Sequence, residues 1–175
     1  MANGPFESKA SFGTWLTKVS ETEDPLFHAI IDQLTGKAVG LAAYMRINPA
    51  AGSIEIGSIS FSPALQQTAL ATEAMFLFMQ RAFEELNYRR YEWKCDSLNA
   101  ASIKAALRLG FSYEGEFRQA LVYKGRNRNT RWFSILDGEW PQLKQGFVDW
   151  LASENFDDHG KQRRKLQDFF KPRSS

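Results

Sequence analysis

The hydrophobic period changes once, and sharply, between residues 53 and 86. SIEIGSISF (53–61) alternates, with Ile54 and Ile56 on one face and Glu55, Gly57 and Ile59 on the other, which is the period of a strand. From Thr72 to Leu86 the apolar residues Met75, Met79, Ala82, Phe83 and Leu86 recur at helical spacing. Between the two lies SPALQQTALATEA (62–74), a proline and two glutamines followed by small residues. Strand, tight turn and helix in that order form a geometry in which proteins bind phosphate groups at the helix N-terminus. Phosphate-cradling turns usually contain glycine, and this one has none.

The flanking segments extend this unit into a domain. Phe12, Trp15, Leu16 and Val19 predict a short helix within 6–19, and LFHAIID (26–32) and AVGLAAYMRI (38–47) read as strands. With 53–61 they form an antiparallel meander joined by short turns. RRYEWKCD (89–96) is a further strand, Asn99 an N-cap for ASIKAALRL, and Gly110 a helix-ending glycine. FSYEGEFR (111–118) and RWFSILD (131–137) read as two strands with the polar loop KGRNRNT between them. A helix follows from Trp140, anchored by Leu143, Phe147 and Trp150. The order implies an α/β (α+β) fold, a mixed and mostly antiparallel sheet with helices on both faces.

At 175 residues the chain fits one domain with a substantial core. The single cysteine, Cys95, excludes an internal disulfide, and no Cys/His cluster has zinc-site spacing, so no metal is expected. No apolar run approaches the roughly 20 residues that span a bilayer, and MANGPFESKASFG lacks the features of a signal peptide. A cytoplasmic protein without a membrane partner is the expectation. Residues 159–175 carry a local charge of +5 and the other 158 residues −3. We read 1–158 as the domain and 159–175 as a basic tail, a solvated helix end more readily than a nucleic-acid contact.

Single residues leave alternatives open. Glu55, in a strand of apolar and small residues, is a general base or an acid on a solvent-facing position. Ser102, three residues after Asn99, is a proton donor to a leaving group or a helix starter. Trp93, Trp132, Phe133 and Trp140 are core more often than ligand platforms. Arg118, Arg126 and Arg128 suit an anion or an exposed loop, and His28 has no assigned role.

Taken jointly the residues are more specific. Gln66-Gln67-Thr68-Ala69-Leu70-Ala71 falls on a motif written Gln/Arg-x-x-Gly-x-Gly/Ala, and Asn99-Ala-Ala-Ser102 followed by Leu109-Gly110-Phe111 on a second. With YEWKCDSLN, GFSYEGEFRQ and KGRNRNTRWFSILDGEWP, these blocks resemble the GCN5-related N-acetyltransferase superfamily, and within it the branch of ribosomal-protein and small-amine acetyltransferases. The similarity covers residues 5–150.

The resemblance implies acetyl-CoA as co-substrate and a primary amine, small molecule or protein N-terminus, as acceptor. Backbone N–H groups of Gln67 to Thr72 would meet the CoA pyrophosphate, with Gln66, Thr68, Ala69, Leu70 and Ala71 forming the turn and Ile59 and Phe61 the strand before it. Ala69 replaces the usual glycine, so the turn should keep negative φ there. Glu55, eleven residues before Gln66, would be the base. Ser102 would be the acid, because Ala106 stands where many members have tyrosine. Asn99 would hold the pantetheine arm, and Trp93, Trp132 and Tyr44 the acceptor pocket. The family normally opens with a strand and a helix that have no counterpart in this sequence; either they are dispensable, or another subunit covers the sheet edge in a homodimer, or the sequence is a truncated form.

Overall fold

The structure, a computed structural model, describes residues 4–170. The meander forms as its alternation predicts: β1 (Leu26–Asp32), β2 (Lys37–Asn48) and β3 (Ser53–Phe61) pair antiparallel in sequence order. Helix α1 (Lys9–Ser20) precedes them, capped by Ser8 and Ser11, and lays Trp15 on Phe27. After β3 the chain enters α2 (Ala69–Gln80), then β4 (Arg90–Asp96), α3 (Ala100–Arg108), β5 (Ser112–Tyr123), β6 (Arg126–Leu136) and α4 (Trp140–Leu151). The sheet order is β1-β2-β3-β4-β6-β5, with β3 and β4 its parallel pair. That pairing follows from α2, which must carry the chain back across the sheet before β4 begins.

The core lies on one face. Ile54, Ile56, Tyr91, Trp93, Phe133 and Ile135 point from the central strands toward α2, α3 and α4, where they meet Met75, Met79, Ala106, Phe147 and Trp150. Phe83 stacks on Trp140 and Phe76 on Phe147. The opposite face is covered by α1 at the β1 edge and elsewhere by charged side chains of the sheet itself.

Two expectations are corrected. Helix α2 begins at Ala69, within the small-residue run, but past Gln80 it continues as a π-helical turn, Arg81–Glu85. The wider turn carries Leu86 off the apolar stripe, where it is exposed, while Ala82 and Phe83 stay buried. It also aims Glu84 at α4, where it accepts from Trp140 Nε1 at 2.8 Å and pairs with Lys144 at 2.7 Å. The polar stretch 124–130 is not a loop: β5 and β6 run on as a long hairpin, reversing at Lys124 and Gly125, both with positive φ.

The basic tail is not a solvated helix end. Helix α4 stops at Leu151, and the chain turns back through Asn155, whose side chain reaches the carbonyls of Trp150 and Arg164. Leu166 is then buried, and Phe169 and Phe170 pack on the core.

Candidate functional site

Strands β3 and β4 pair in register only from Ser53↔Arg90 to Ile56↔Trp93. Beyond that pair they diverge, and Gly57–Phe61 has no partner on the β4 side. The cause sits in β3: Ser58, at φ +50°, is an extra residue opposite Ala42, and a bulge of this kind bends a strand. It also switches faces, so Ile59 and Phe61 pack with the core instead of sharing the side of Glu55 and Gly57. Gly57 beside the bulge makes room for Met45: a Cβ there would lie 2.5 Å from Met45 Sδ, so that side chain would have to move.

Two helix N-termini follow the diverging strand ends. Thr68 caps α2 by accepting from Ala71 N–H at 3.1 Å, which leaves the first-turn N–H groups of Ala69 and Leu70 for an outside acceptor. The positive φ of the turn falls on Gln67, at +61°, and Ala69 keeps negative φ as the first helical residue. An alanine is therefore compatible with this turn. Gln66 closes it, donating from Nε2 to the carbonyl of Phe61 at 2.9 Å. Buried Thr72 accepts from Arg108 at 3.0 Å; that guanidinium, stacked over Trp150, has its pKa lowered by burial.

At the second terminus Asn99 caps α3 through Oδ1, accepting from Ser102 N–H at 3.0 Å and leaving its NH2 group unused by the cap. Ser102 Oγ accepts from Trp93 Nε1 at 2.9 Å. An indole only donates, so the serine proton is directed elsewhere. Burial pushes the thiol of neighbouring Cys95 up, against a downward pull from the Ser102 hydroxyl, and the thiol stays protonated near neutral pH.

Glu55 lies on the opposite face and is 3% exposed. Its Oε2 pairs with Arg46 Nη1 at 2.6 Å and Lys94 Nζ at 2.9 Å. The structure thus brings Gln67–Thr72, Asn99 and Ser102 to one mouth, and sets Glu55 beside it across the sheet. The three aromatic candidates do not share a pocket. Tyr44 and Trp93 are in the core on the helix face, Tyr44 bonded to the Phe78 carbonyl at 2.7 Å, while Trp132 is on the face of Glu55.

The sequence reading passed over Glu92 and Lys94, which surround Glu55. Their signal was present: charged residues at alternate positions of a central strand whose other positions, Tyr91, Trp93 and Cys95, are buried.

A parallel pair that opens beneath two capped helix starts, at the carboxyl ends of its strands, suits a long ligand with an anionic portion. Residues 3–112 match the family model described as an acetyltransferase (GNAT) domain. The chain belongs to the GNAT acetyltransferase family. A GCN5-related N-acetyltransferase from Brucella melitensis is 54% identical, with a TM-score of 0.94 over 97% of this chain and 76% of that one. A probable GNAT acetyltransferase from Chromobacterium violaceum is 50% identical, with a TM-score of 0.76 over 81% of this chain and 71% of that one. Spermidine N(1)-acetyltransferase of Escherichia coli K12 is 34% identical over 95 residues, which are 54% of this chain. The chain spans about half the length of that relative, 50%. Among the described residues no group of His, Cys, Asp and Glu is arranged to hold a metal ion, and no helix is long and apolar enough to cross a membrane.

Proposed function

We propose that this GNAT chain is an acetyl-CoA-dependent N-acetyltransferase whose acceptor is a primary amine, on a small molecule or a protein N-terminus. The observation that carries the reading is the opening of β3 from β4 after Ile56 and Trp93, beneath the capped starts of α2 and α3. Acetyl-CoA supplies the acetyl group as a thioester. The N–H groups of Gln67, Ala69 and Leu70 face its pyrophosphate, with Thr72 and Arg108 beside them. Ile59 and Phe61 line the diverging strand, and Asn99 holds the pantetheine arm through its free NH2 group.

An ammonium must lose a proton before it attacks, and Glu55, one residue before the end of the β3–β4 pairing, is the carboxylate that receives it in this reading, directly or through water. A strand N–H past the Ser58 bulge stabilises charge on the acetyl oxygen. Ser102 delivers a proton to the departing sulfur, its oxygen oriented by Trp93. A primary amine of the kind taken by the ribosomal-protein and small-amine branch fits this chemistry.

A second reading keeps the acyl-CoA site without turnover. The pairing of Glu55 Oε2 with two cations favours it, because a base so engaged must first be released. Calorimetric titration with acetyl-CoA and desulfo-CoA, followed by thiol release with an amine panel, separates the two. Micromolar binding with thiol release supports catalysis, and binding without release supports the second reading. No binding by folded protein removes both.

A further inference from the structure

The acceptor's charge can be inferred from the face of the sheet that carries Glu55. Glu55 and Glu92 stand side by side in register on β3 and β4, and carboxylates so placed repel. Lys94 resolves the conflict, with Nζ 2.9 Å from Glu55 Oε2, 2.7 Å from Glu92 Oε2 and 3.8 Å from the centre of the Trp132 ring. Two carboxylates and an aromatic face make a cage for an ammonium ion. The ammonium in it belongs to the chain, on a side chain only 7% exposed.

The surrounding charges close the argument. Arg46 also pairs with Glu55, Arg90 with both Glu92 and Glu114, and Arg126 with Asp96. Four carboxylates on this face therefore meet four cations of the same chain. The distal ammonium of a linear polyamine, out of bulk water, needs an uncompensated carboxylate, and these four offer none.

We propose that Lys94 sets acceptor selectivity by filling the cage of Glu55, Glu92 and Trp132, so that the enzyme takes monoamines with a neutral or anionic body and excludes polycations. This rests on the reading that acetyl transfer occurs at the β3–β4 mouth. Lys94 is the first β4 residue beyond the paired segment, at that mouth and next to the candidate base. It acts as a positioning residue, holding Glu55 through Oε2 and leaving Oε1 toward Gly57.

The test compares wild type, Lys94→Gln and Lys94→Arg with spermidine and with glycylglycine, reading melting temperature as well as kcat/KM. For wild type we expect no melting shift with spermidine and a kcat/KM for it about tenfold or more below that for glycylglycine. Lys94→Gln leaves one carboxylate charge uncompensated. Spermidine should then raise its melting temperature by about 3 °C, and the spermidine-to-glycylglycine ratio should climb about tenfold. Lys94→Arg should restore the wild-type order. A wild-type preference for spermidine, a ratio unmoved in Lys94→Gln, or equal spermidine stabilisation of both proteins overturns the proposal. If acetyl-CoA does not bind, the proposed function falls separately, and the melting comparison still decides whether Lys94 occupies a polyamine site. If Lys94→Gln does not fold, the wild-type amine preference decides it.

Discussion

Trp93 Nε1 and Ser102 Oγ are joined by a hydrogen bond of 2.9 Å that ties the last β4 residue paired with β3 to the first turn of α3. The bond holds the serine oxygen as an acceptor and leaves its proton to the Cys95 sulfur, from which it would turn to a departing thiolate. The indole ring itself packs edge-on against Phe111 inside the core.

Ser102→Ala should lower kcat about a hundredfold, the size of a lost general acid, with little change in acetyl-CoA affinity. It also leaves the indole N–H unpaired at a cost of about 1–3 kcal/mol. Trp93→Phe separates the effects: it removes the donor, keeps the proton source, and should reduce kcat by less than tenfold. Steady-state kinetics and urea unfolding on both variants check this. Equal kcat losses would mean that Ser102 acts only as a structural acceptor.

Ala69→Gly should not improve acetyl-CoA binding. Ala69 already has negative φ as the first residue of α2, and the left-handed residue of the turn is Gln67. The glycine would gain no conformation that the turn uses and would destabilise the helix start by up to about 1 kcal/mol. Thr68→Ala removes the cap on Ala71 N–H, at a cost of about 1 kcal/mol, and should weaken acetyl-CoA several-fold by loosening the same N-terminus. Calorimetric titration of both variants decides. Tighter binding by Ala69→Gly would mean that the cofactor turn rearranges on binding.

How these positions were legible in the sequence differs from one to the next. The bounds of β1 and β3 and the Asn99 cap came directly from alternation and cap chemistry, because each depends on neighbours in the chain. The Ser58 bulge did not, since SIEIGSISF alternates cleanly and only pairing with β2 reveals the extra residue. That one residue moved Ile59 to the other face and opened the strands. KGRNRNT looked like a loop because its polar residues carry no apolar alternation, yet β6 continues through it with Thr130 buried. The ion pairs of Glu55 join β2, β3 and β4, and no local pattern reports a contact made across three strands.

Glu55→Gln tests the candidate base and its ion pairs together. Lys94 loses one of two carboxylates while remaining buried, and breaking a buried pair this way costs about 3 kcal/mol. The exposed end of Arg46 adds little, because a solvated cation pays almost nothing for losing a partner. If Glu55 also receives the acceptor proton, kcat at neutral pH falls about a hundredfold and recovers as pH rises toward the amine pKa. Stability from urea unfolding and the pH profile of kcat read the two roles separately. A stability loss with an unchanged pH profile would restrict Glu55 to an architectural role.

Acid stability should depend on Glu114. The Arg90 guanidinium, against an opposing push from partial burial and with help from the Ser134 hydroxyl, holds this carboxyl at about 2, below its ordinary 4.5. A carboxyl held low in the folded state contributes stability that is complete above its unfolded value and is lost as pH falls through the folded one. The contribution should therefore persist above pH 4.5 and fade toward pH 2. Glu114→Gln removes the titrating group, so urea midpoints measured between those limits should fall less steeply with acid than in wild type. An unchanged slope would mean that the pair with Arg90 is not maintained in solution.

The folded tail gives the last prediction. Its basic residues suggested a solvated segment, but Leu166 is 1% exposed, and Phe170 lies against Gly146, where an added Cβ would come within 2.6 Å of the ring. A cavity left by Leu166→Ala should cost about 3 kcal/mol, as buried leucines do elsewhere. Lys161→Gln, on an exposed side chain, should stay within about 0.5 kcal/mol of wild type. If the tail served chiefly as a charged contact for nucleic acid, the order would reverse: Lys161→Gln would change salt-dependent binding and Leu166→Ala would leave stability intact. Thermal and urea unfolding of the two variants distinguish these outcomes. The packing predicts that removing three carbons at 166 matters far more than removing a charge at 161.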